Sequence, residues 1–348
     1  VFAGEVVLVA IILVLSRRIA DAPSLQRVRL DYTGALLSAT GLGLAVFGVL
    51  RSEEWGWTGA KPGAPSLLGI SPTLPLIAVG LAIVWVFIRW EHHVIASGRE
   101  PLLRPDLLAN RTLSTGLTMD FFQYLLQAGV FFVVPLFLSV VLELSAIETG
   151  LRVFPLSVSL LISAVGIPRI WPKASPRFVV QIGVLLLLGG IVTLMGGMER
   201  GASAAIVATP MFLIGLGIGA LASQLGAVTV SAFPDEQSGE IGGLQNTATN
   251  LGSSLGTALA GSVLIGLLTS SVIVGIQQNA AVPESVKQTA AVELAGGVPF
   301  LSDSQLRDAL DETGLSMDVR DNIVELNAQG RVEGINAALA LLALIAVV

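Results

Sequence analysis

The chain has 348 residues, of which 53% are hydrophobic and only 13% are charged, well below the roughly 25% of soluble domains. With a mean hydropathy of +0.81, this composition excludes an ordinary soluble enzyme and indicates a protein that lies mostly in lipid. The net charge of −6 argues against a nucleic-acid partner, because a polyanion is bound by clustered Lys and Arg. With no cysteine and only two histidines, we expect no metal, no cofactor and no enzymatic activity.

Seven stretches are predicted to cross the membrane as helices. A transmembrane helix needs roughly 17 to 25 residues without strong charge, because each residue adds about 1.5 Å across a core of about 30 Å. The run 153–168 reaches this length when it is counted from Gly150. The predicted spans are 33–50, 72–88, 121–142, 153–168, 178–198, one inside 201–233, and 241–268.

Two shorter apolar runs lie at the ends of the sequence, at 1–15 and 335–348. They are 15 and 14 residues long, and we interpret them as the ends of truncated helices. A signal peptide is the alternative for 1–15, although the basic residues follow this run instead of preceding it.

Basic residues are concentrated in alternate connections between the predicted spans. The connections 16–32, 89–116 and 169–177 contain eleven Lys and Arg, whereas the connections between them contain four. Short cytoplasmic loops are enriched in Lys and Arg, so the first set is predicted to be cytoplasmic. The loop 231–240 is cytoplasmic by its position but contains only acids, and it does not support the assignment.

Residues 269–334 form the only substantial predicted segment outside the membrane. Ser302 and Gln305 have the spacing of a capping box, and we predict two short amphipathic helices at 303–312 and 316–328. The segment is interpreted as an external cap or a solvated spacer. Direct handling of a substrate is the alternative.

Four sequence motifs carry a resemblance to a known family. They are Asp31-Tyr-Thr-Gly-Ala-Leu-Leu, Glu53-Glu-Trp-Gly-Trp57, Pro101-Leu-Leu-Arg-Pro-Asp-Leu-Leu, and the stretch from Gly242 to Gly261, which reads GGLQNTATNLGSSLGTALAG. With these motifs, the chain resembles the C-terminal portion of a 14-helix drug:proton antiporter of the major facilitator superfamily.

The resemblance implies an all-α membrane protein, a major facilitator-type helical bundle truncated at both ends. Residues 1–15 would be the end of a truncated transmembrane helix, and 16–114 two central inserted helices with their loops. Residues 115–348 would form the C-terminal six-helix bundle, including the external loop 269–334, and the N-terminal bundle would be missing. In this family the first, second, fourth and fifth helices of each bundle line the cavity, and the third and sixth face lipid.

Asp120 is the candidate for proton coupling. Charged groups inside a membrane are costly when they face lipid, so polar positions within a span are expected to face a cavity. Gln123, Tyr124 and Gln127 follow Asp120 at helical spacing, and we expect all four to lie on one stripe that lines the substrate cavity. The alternative is that Asp120, nine residues after Arg111, is solvated near the cytoplasmic end of its helix.

Two later spans provide further candidates. Interhelical hydrogen bonding is the alternative to cavity lining for Asn246 and Asn250. Small residues let helices approach closely, so the glycines are predicted to serve packing. The cavity candidates are Ser223, Gln224, Gln245, Asn246, Asn250 and Ser253, and the packing candidates are Gly215, Gly219, Gly252 and Gly256.

The resulting prediction is a multi-pass protein of the cytoplasmic membrane. It is a proton-coupled secondary transporter that exports amphipathic, drug-like or toxic compounds, and its partners are a small-molecule substrate, protons and the lipid bilayer. An uptake or narrow-specificity metabolite transporter of the same fold is one alternative. A membrane anchor or structural protein is another.

Overall fold

The computed structural model describes residues 2–17, 31–61, 63–66, 69–199, 201–231, 238–279, 282, 284, 287–288, 294–311 and 315–347. Predictions that involve residues 18–30, 232–237 or 312–314 lie outside the described residues. These include most of the first basic connection, most of the acidic loop and the end of the predicted helix 303–312.

The described residues form ten α-helices of nine or more residues. They are α1 Phe2–Ser16, α2 Tyr32–Trp55, α3 Thr73–Ala96, α4 Arg111–Leu136, α5 Ala146–Ile170, α6 Pro176–Gly197, α7 Ala208–Ser231, α8 Ser238–Gln278, α9 Asp303–Asp311 and α10 Met317–Val347. Several begin at residues that satisfy free backbone N–H groups. For example, the side chain of Asp31 accepts hydrogen bonds at the start of α2, and Asn110 does the same at the start of α4.

Eight of these helices are long and apolar enough to cross a membrane: α2 to α8, and α10. The first seven correspond to the seven predicted spans. The eighth shows that two predictions were wrong, because the expected helix 316–328 and the apolar run 335–348 are halves of one 31-residue helix. Arg331 and Glu333 separate the two predicted segments in the sequence, but the buried positions continue on one helical face through both halves.

Six helices, α4 to α8 and α10, share one hydrophobic core. Helix α5 packs on α7, α4 on α8, α6 on α7, and α10 on α8. Helices α2 and α3 pack mainly on each other, and α2 also contacts α8, where Ser52 Oγ lies 3.3 Å from Ser262 Oγ. The pair therefore lies beside the six-helix bundle, along α8.

Glycines let α8 contact the backbone of α4 directly. A Cβ atom at Gly252 would lie 2.2 Å from the carbonyl oxygen of Phe121, and one at Gly256 would lie 2.1 Å from that of Leu125. These distances are too short for non-bonded atoms, so only glycine fits without moving a helix. Small residues at such contacts are the usual means of close helix packing in membranes.

The other two predicted packing glycines lie between α7 and α5. At Gly215 a Cβ atom would lie 2.0 Å from Ser159 Oγ, and at Gly219 it would lie 2.4 Å from the carbonyl oxygen of Leu160. Both contacts are too close for a side chain. The predicted packing glycines therefore lie at two close helix contacts, α4 with α8 and α5 with α7.

Residues 294–311, here called the cap, pack against the end of the bundle where α4 finishes. The side chain of Arg331 in α10 is only 1% exposed, and it donates to the carbonyl oxygen of Leu301 at 2.7 Å and that of Val140 at 3.2 Å. It also forms an ion pair with Asp303 in the cap. A buried guanidinium is costly unless it is paired and hydrogen-bonded, and the bonds of Arg331 hold three chain segments together.

Glu143 connects the loop after α4 to the cap. Its Oε1 accepts a hydrogen bond from the backbone N–H of Ser304 at 3.0 Å, and its φ of +51° is unusual for a residue with a side chain. This hydrogen bond lowers the pKa of Glu143, and the positive charge of Arg331 also acts in that direction. The ionised carboxylate therefore stabilises the attachment of the cap.

Replacing Gly256 by Ala should push α8 away from α4 and destabilise the intact protein by about 1 to 3 kcal/mol, the usual cost of overpacking. Gly266→Ala is the matched control, because Gly266 lies on the same helix and a Cβ atom there would have no neighbour within 4 Å. Thermal unfolding in detergent measures both. Equal stability of the two variants would contradict the close contact.

Asp303→Asn should destabilise the protein by about 3 kcal/mol, because it removes a carboxylate that compensates the buried guanidinium of Arg331. The control is Asp311→Asn. Asp311 pairs with Arg320 at the surface, where ion pairs contribute at most about 1 kcal/mol. Unfolding curves give the free energy of unfolding of each variant. An equally large decrease for Asp311→Asn would show that the burial of Arg331 does not cause the effect of Asp303→Asn.

The attachment of the cap should weaken at low pH. Because the pKa of Glu143 is lowered in the folded protein, its contribution is complete above the ordinary glutamate pKa and disappears as the pH falls through the lowered value. Hydrogen-exchange protection of residues 303–311, corrected for the intrinsic rate, should decrease over that pH range. Glu143→Gln should have low protection at every pH. If protection of residues 303–311 in this variant still fell as the pH is lowered, another group would be responsible for the pH dependence.

Candidate functional site

Asp120 is buried at the contact between α4 and α8. It lies nine residues after Arg111, the first residue of α4, and is only 6% exposed. Its Oδ2 accepts a hydrogen bond from Nε2 of Gln245 in α8 at 3.2 Å. The alternative that Asp120 is solvated near the helix end is therefore wrong, because α4 begins ten residues before the predicted span and already packs on α8 there.

The three residues that follow Asp120 at helical spacing do not share one environment. Gln123 is 5% exposed and lines a cavity, whereas Tyr124 is 36% exposed at the surface. The Oε1 atoms of Gln123 and Gln127 are buried, and neither has a hydrogen-bond partner among the described residues. The predicted stripe is thus divided, with Asp120 facing α8 and Gln123 facing the cavity.

In α8, the structure brings Gln245 to Asp120 and leaves Asn246 and Asn250 exposed. Asn250 Nδ2 donates to the carbonyl oxygen of Asn246 at 2.7 Å and to its Oδ1 at 3.0 Å. These bonds remain within α8, so the interhelical alternative does not describe them. Ser253 is half-buried on the same helix.

In α7, Ser223 and Gln224 are half-buried and hydrogen-bonded locally. Ser223 Oγ donates to the carbonyl oxygen of Ala220 at 2.7 Å, and Gln224 Nε2 donates to Ser223 Oγ at 3.2 Å. Gln224 also lines a cavity, where it lies with Gln181 of α6. The structure therefore places Gln224 at a cavity wall.

Two adjoining cavities lie between α4 and α6. The first has a volume of about 430 Å³, and its wall includes Gln123 and Phe122 of α4, Leu187 of α6, and Ile345 of α10. The second, of about 490 Å³, lies where α4 and α6 begin. The third and sixth helices of the bundle, α6 and α10, were expected to face lipid. The structure shows that they also form cavity walls.

Glu91, a fully buried carboxylate in α3, was not identified from the sequence. Its Oε2 accepts hydrogen bonds from the backbone N–H groups of Leu102 at 2.9 Å and Leu103 at 3.4 Å. It therefore holds the connection between α3 and α4 in place. Its burial could have been inferred from the sequence, because Phe87 lies four residues before it and Val94 three residues after it, on the same helical face.

Within the described ranges, no three His, Asp or Glu side chains converge in a way that could bind a metal ion. The candidate site residues provide one carboxyl group, that of Asp120, together with several amides and hydroxyls. Such groups can bind a proton, and they can form hydrogen bonds to a small organic molecule.

Three curated relatives are similar to most of the chain. It is 27% identical to the tetracenomycin C resistance and export protein of Streptomyces glaucescens, over 77% of the chain and 49% of the relative. It is 26% identical to a puromycin resistance protein of Streptomyces alboniger, over 83% and 57% respectively. It is 28% identical to a cephamycin export protein of Amycolatopsis lactamdurans, over 71% and 49%. The chain spans about half the length of these relatives.

A family match agrees with the helical architecture. Residues 26–257, more than half of the chain, match the Major Facilitator Superfamily. This range extends from before α2 into α8, and it includes Asp120 and Gln245. Because eight helices among the described residues have membrane-spanning length and composition, the chain is a multi-pass membrane protein, and it belongs to the major facilitator superfamily.

Proposed function

We propose that this chain is the C-terminal portion of a 14-helix, proton-coupled exporter of amphipathic, drug-like compounds across the cytoplasmic membrane. The names of the relatives support export, since they describe resistance to or export of tetracenomycin C, puromycin and cephamycin. Coverage of about half of each relative supports a second, N-terminal bundle as the missing partner. In this proposal the protein is a transporter and has no enzymatic activity.

The proposed division of the chain follows the helix contacts. Residues 1–15 end a preceding helix, 16–114 contain the inserted pair α2 and α3, and 115–348 form the C-terminal bundle. The predicted external loop 269–334 is shorter in the structure, because α8 continues to Gln278 and α10 begins at Met317. The separate packing of α2 with α3 supports this division, as does the shared core of the six helices from α4 onward.

The observation that carries the proposal is the buried Asp120 and its hydrogen bond to Gln245. No basic side chain of the described residues forms an ion pair with Asp120. An ionised carboxylate only accepts hydrogen bonds, whereas a protonated carboxyl also donates one. Binding and release of a proton would therefore change both the charge and the hydrogen bonding between α4 and α8.

An exposed polar face lies next to Asp120 and Gln245, and it supports the proposed transport. Tyr124, Asn246 and Asn250 lie on the surface of the described bundle. Amide groups that face acyl chains are costly, so we propose that this face lines a wet space shared with the second bundle. Rocking of the two bundles would then expose the space to one side of the membrane at a time.

Export is tested with cells that express the intact protein, loaded with the dye ethidium. We expect Asp120→Asn to abolish the efflux that an uncoupler can collapse, because Asn cannot carry the proton, while expression is unchanged. Asp120→Glu should retain part of the efflux. The control Asp106→Asn changes an exposed carboxylate between α3 and α4 and should export normally.

Two results would contradict the proposal in different ways. Uncoupler-sensitive efflux that is unchanged in Asp120→Asn would remove Asp120 from the coupling site and leave export intact. Absence of efflux in the unaltered protein for ethidium, puromycin and other amphipathic compounds would contradict export itself.

A further inference from the structure

The two cavities between α4 and α6 form one cleft. Thr115, Met119 and Val180 line both cavities, so the second continues into the first. Helices α4 and α6 pack against α7 and α10 more than against each other, and this leaves the gap that the cleft occupies. Met119 and Phe122 on its wall are 40% and 38% exposed, so the cleft is accessible from outside the bundle.

The mouth of the cleft is positively charged. Arg111, the first residue of α4, and Arg177, the second residue of α6, both line the second cavity. The N-terminus of each helix also carries a partial positive charge, which adds to the positive potential at the mouth. No acidic side chain is present among the described residues that line either cavity, and neither arginine forms an ion pair with a described residue. The mouth therefore favours an anionic group.

Most side chains that line the first cavity are apolar, and its polar lining is the hydroxyls of Ser114, Thr115 and Thr118 and the amide of Gln123. Leu126, Val184 and Leu187 line the first cavity, whose volume of about 430 Å³ is in the range of sites for drug-sized ligands. Gln123 is 95% buried on its wall, and the buried Oε1 atom accepts no hydrogen bond from any described residue. Buried polar atoms are normally satisfied, so this oxygen is an open acceptor beside the cavity for a donor on a bound molecule or for a water.

We propose that the cleft binds an anionic amphiphile. Its acid group lies between Arg111 and Arg177, its apolar body fills the first cavity, and a hydrogen-bond donor on that body reaches Oε1 of Gln123. This inference deepens the proposed export function by assigning acidic amphiphiles as a substrate class. A compound exported by the protein and an anionic phospholipid both have this chemistry, and the experiment separates them.

The test measures binding to the intact protein in nanodiscs of phosphatidylcholine. The probe is anilinonaphthalene sulfonate, which has a sulfonate, an apolar ring system and one N–H donor. Phenylnaphthylamine is the matched probe, since it has the same rings and N–H but lacks the sulfonate. Fluorescence is corrected with empty nanodiscs. Because the assay has no transport step, its result does not depend on the proposed export.

We expect Arg111→Gln and Arg177→Gln each to weaken sulfonate binding about tenfold, as for the loss of one charge-assisted hydrogen bond. Binding of phenylnaphthylamine should be unchanged, which also shows that the variants are folded. Gln123→Leu should weaken both probes. The control Arg169→Gln removes an exposed arginine in the last turn of α5, outside both cavities, and should have no effect.

Sulfonate affinity that is unchanged in the double arginine variant, or reduced equally by Arg169→Gln, would overturn the proposal. Two further measurements identify the source of the natural ligand, and either positive result supports the site. Competition by added phosphatidylglycerol that requires Arg111 and Arg177 indicates a lipid. Lack of such competition, with arginine-dependent movement of the sulfonate into proteoliposomes, indicates a transported compound.

Discussion

At two positions one turn apart, α8 has glycine where the backbone of α4 approaches it, and the carbonyl oxygens of Phe121 and Leu125 occupy the space that side chains would fill. This contact fixes the distance and the rotation of the two helices. It places Gln245, almost two turns before Gly252, within hydrogen-bond reach of Asp120. The position of the candidate proton site therefore depends on the absence of two side chains.

The same constraint explains why polar groups of the bundle lie in separate places. With α8 close to one face of α4, Asp120 is enclosed between the helices, and Gln123 faces the gap toward α6. Tyr124 remains at the surface. In a low-dielectric environment each of these positions has a different consequence: a carboxyl between helices can exchange a proton, an amide in a cavity can orient a ligand, and a polar surface needs water or a partner.

Much of this architecture could be predicted from the sequence, because a membrane-spanning helix requires a long apolar run. Seven such helices followed from that requirement. The coupling role of Asp120 stays a prediction. The last helix was divided incorrectly, because Arg331 and Glu333 separate the two predicted segments in the sequence although the helix continues. The hydrogen bonds of Glu91 could not be predicted, because they depend on backbone N–H groups of the connection between α3 and α4. The cleft could not be predicted either, because it depends on which helices do not pack against each other.

The length of α8 has a mechanical consequence. Its 41 residues extend about 60 Å, roughly twice the hydrocarbon thickness, so it continues well beyond the bilayer. Gln245 lies near one end, while Val272 and Ile276 near the other end belong to the hydrophobic cluster that includes Val298 of the cap. A small tilt of such a rod about its contact with α4 would displace its two ends in opposite directions. In the proposed coupling, a change in the protonation of Asp120 near one end of α8 would therefore move the end that packs on the cap.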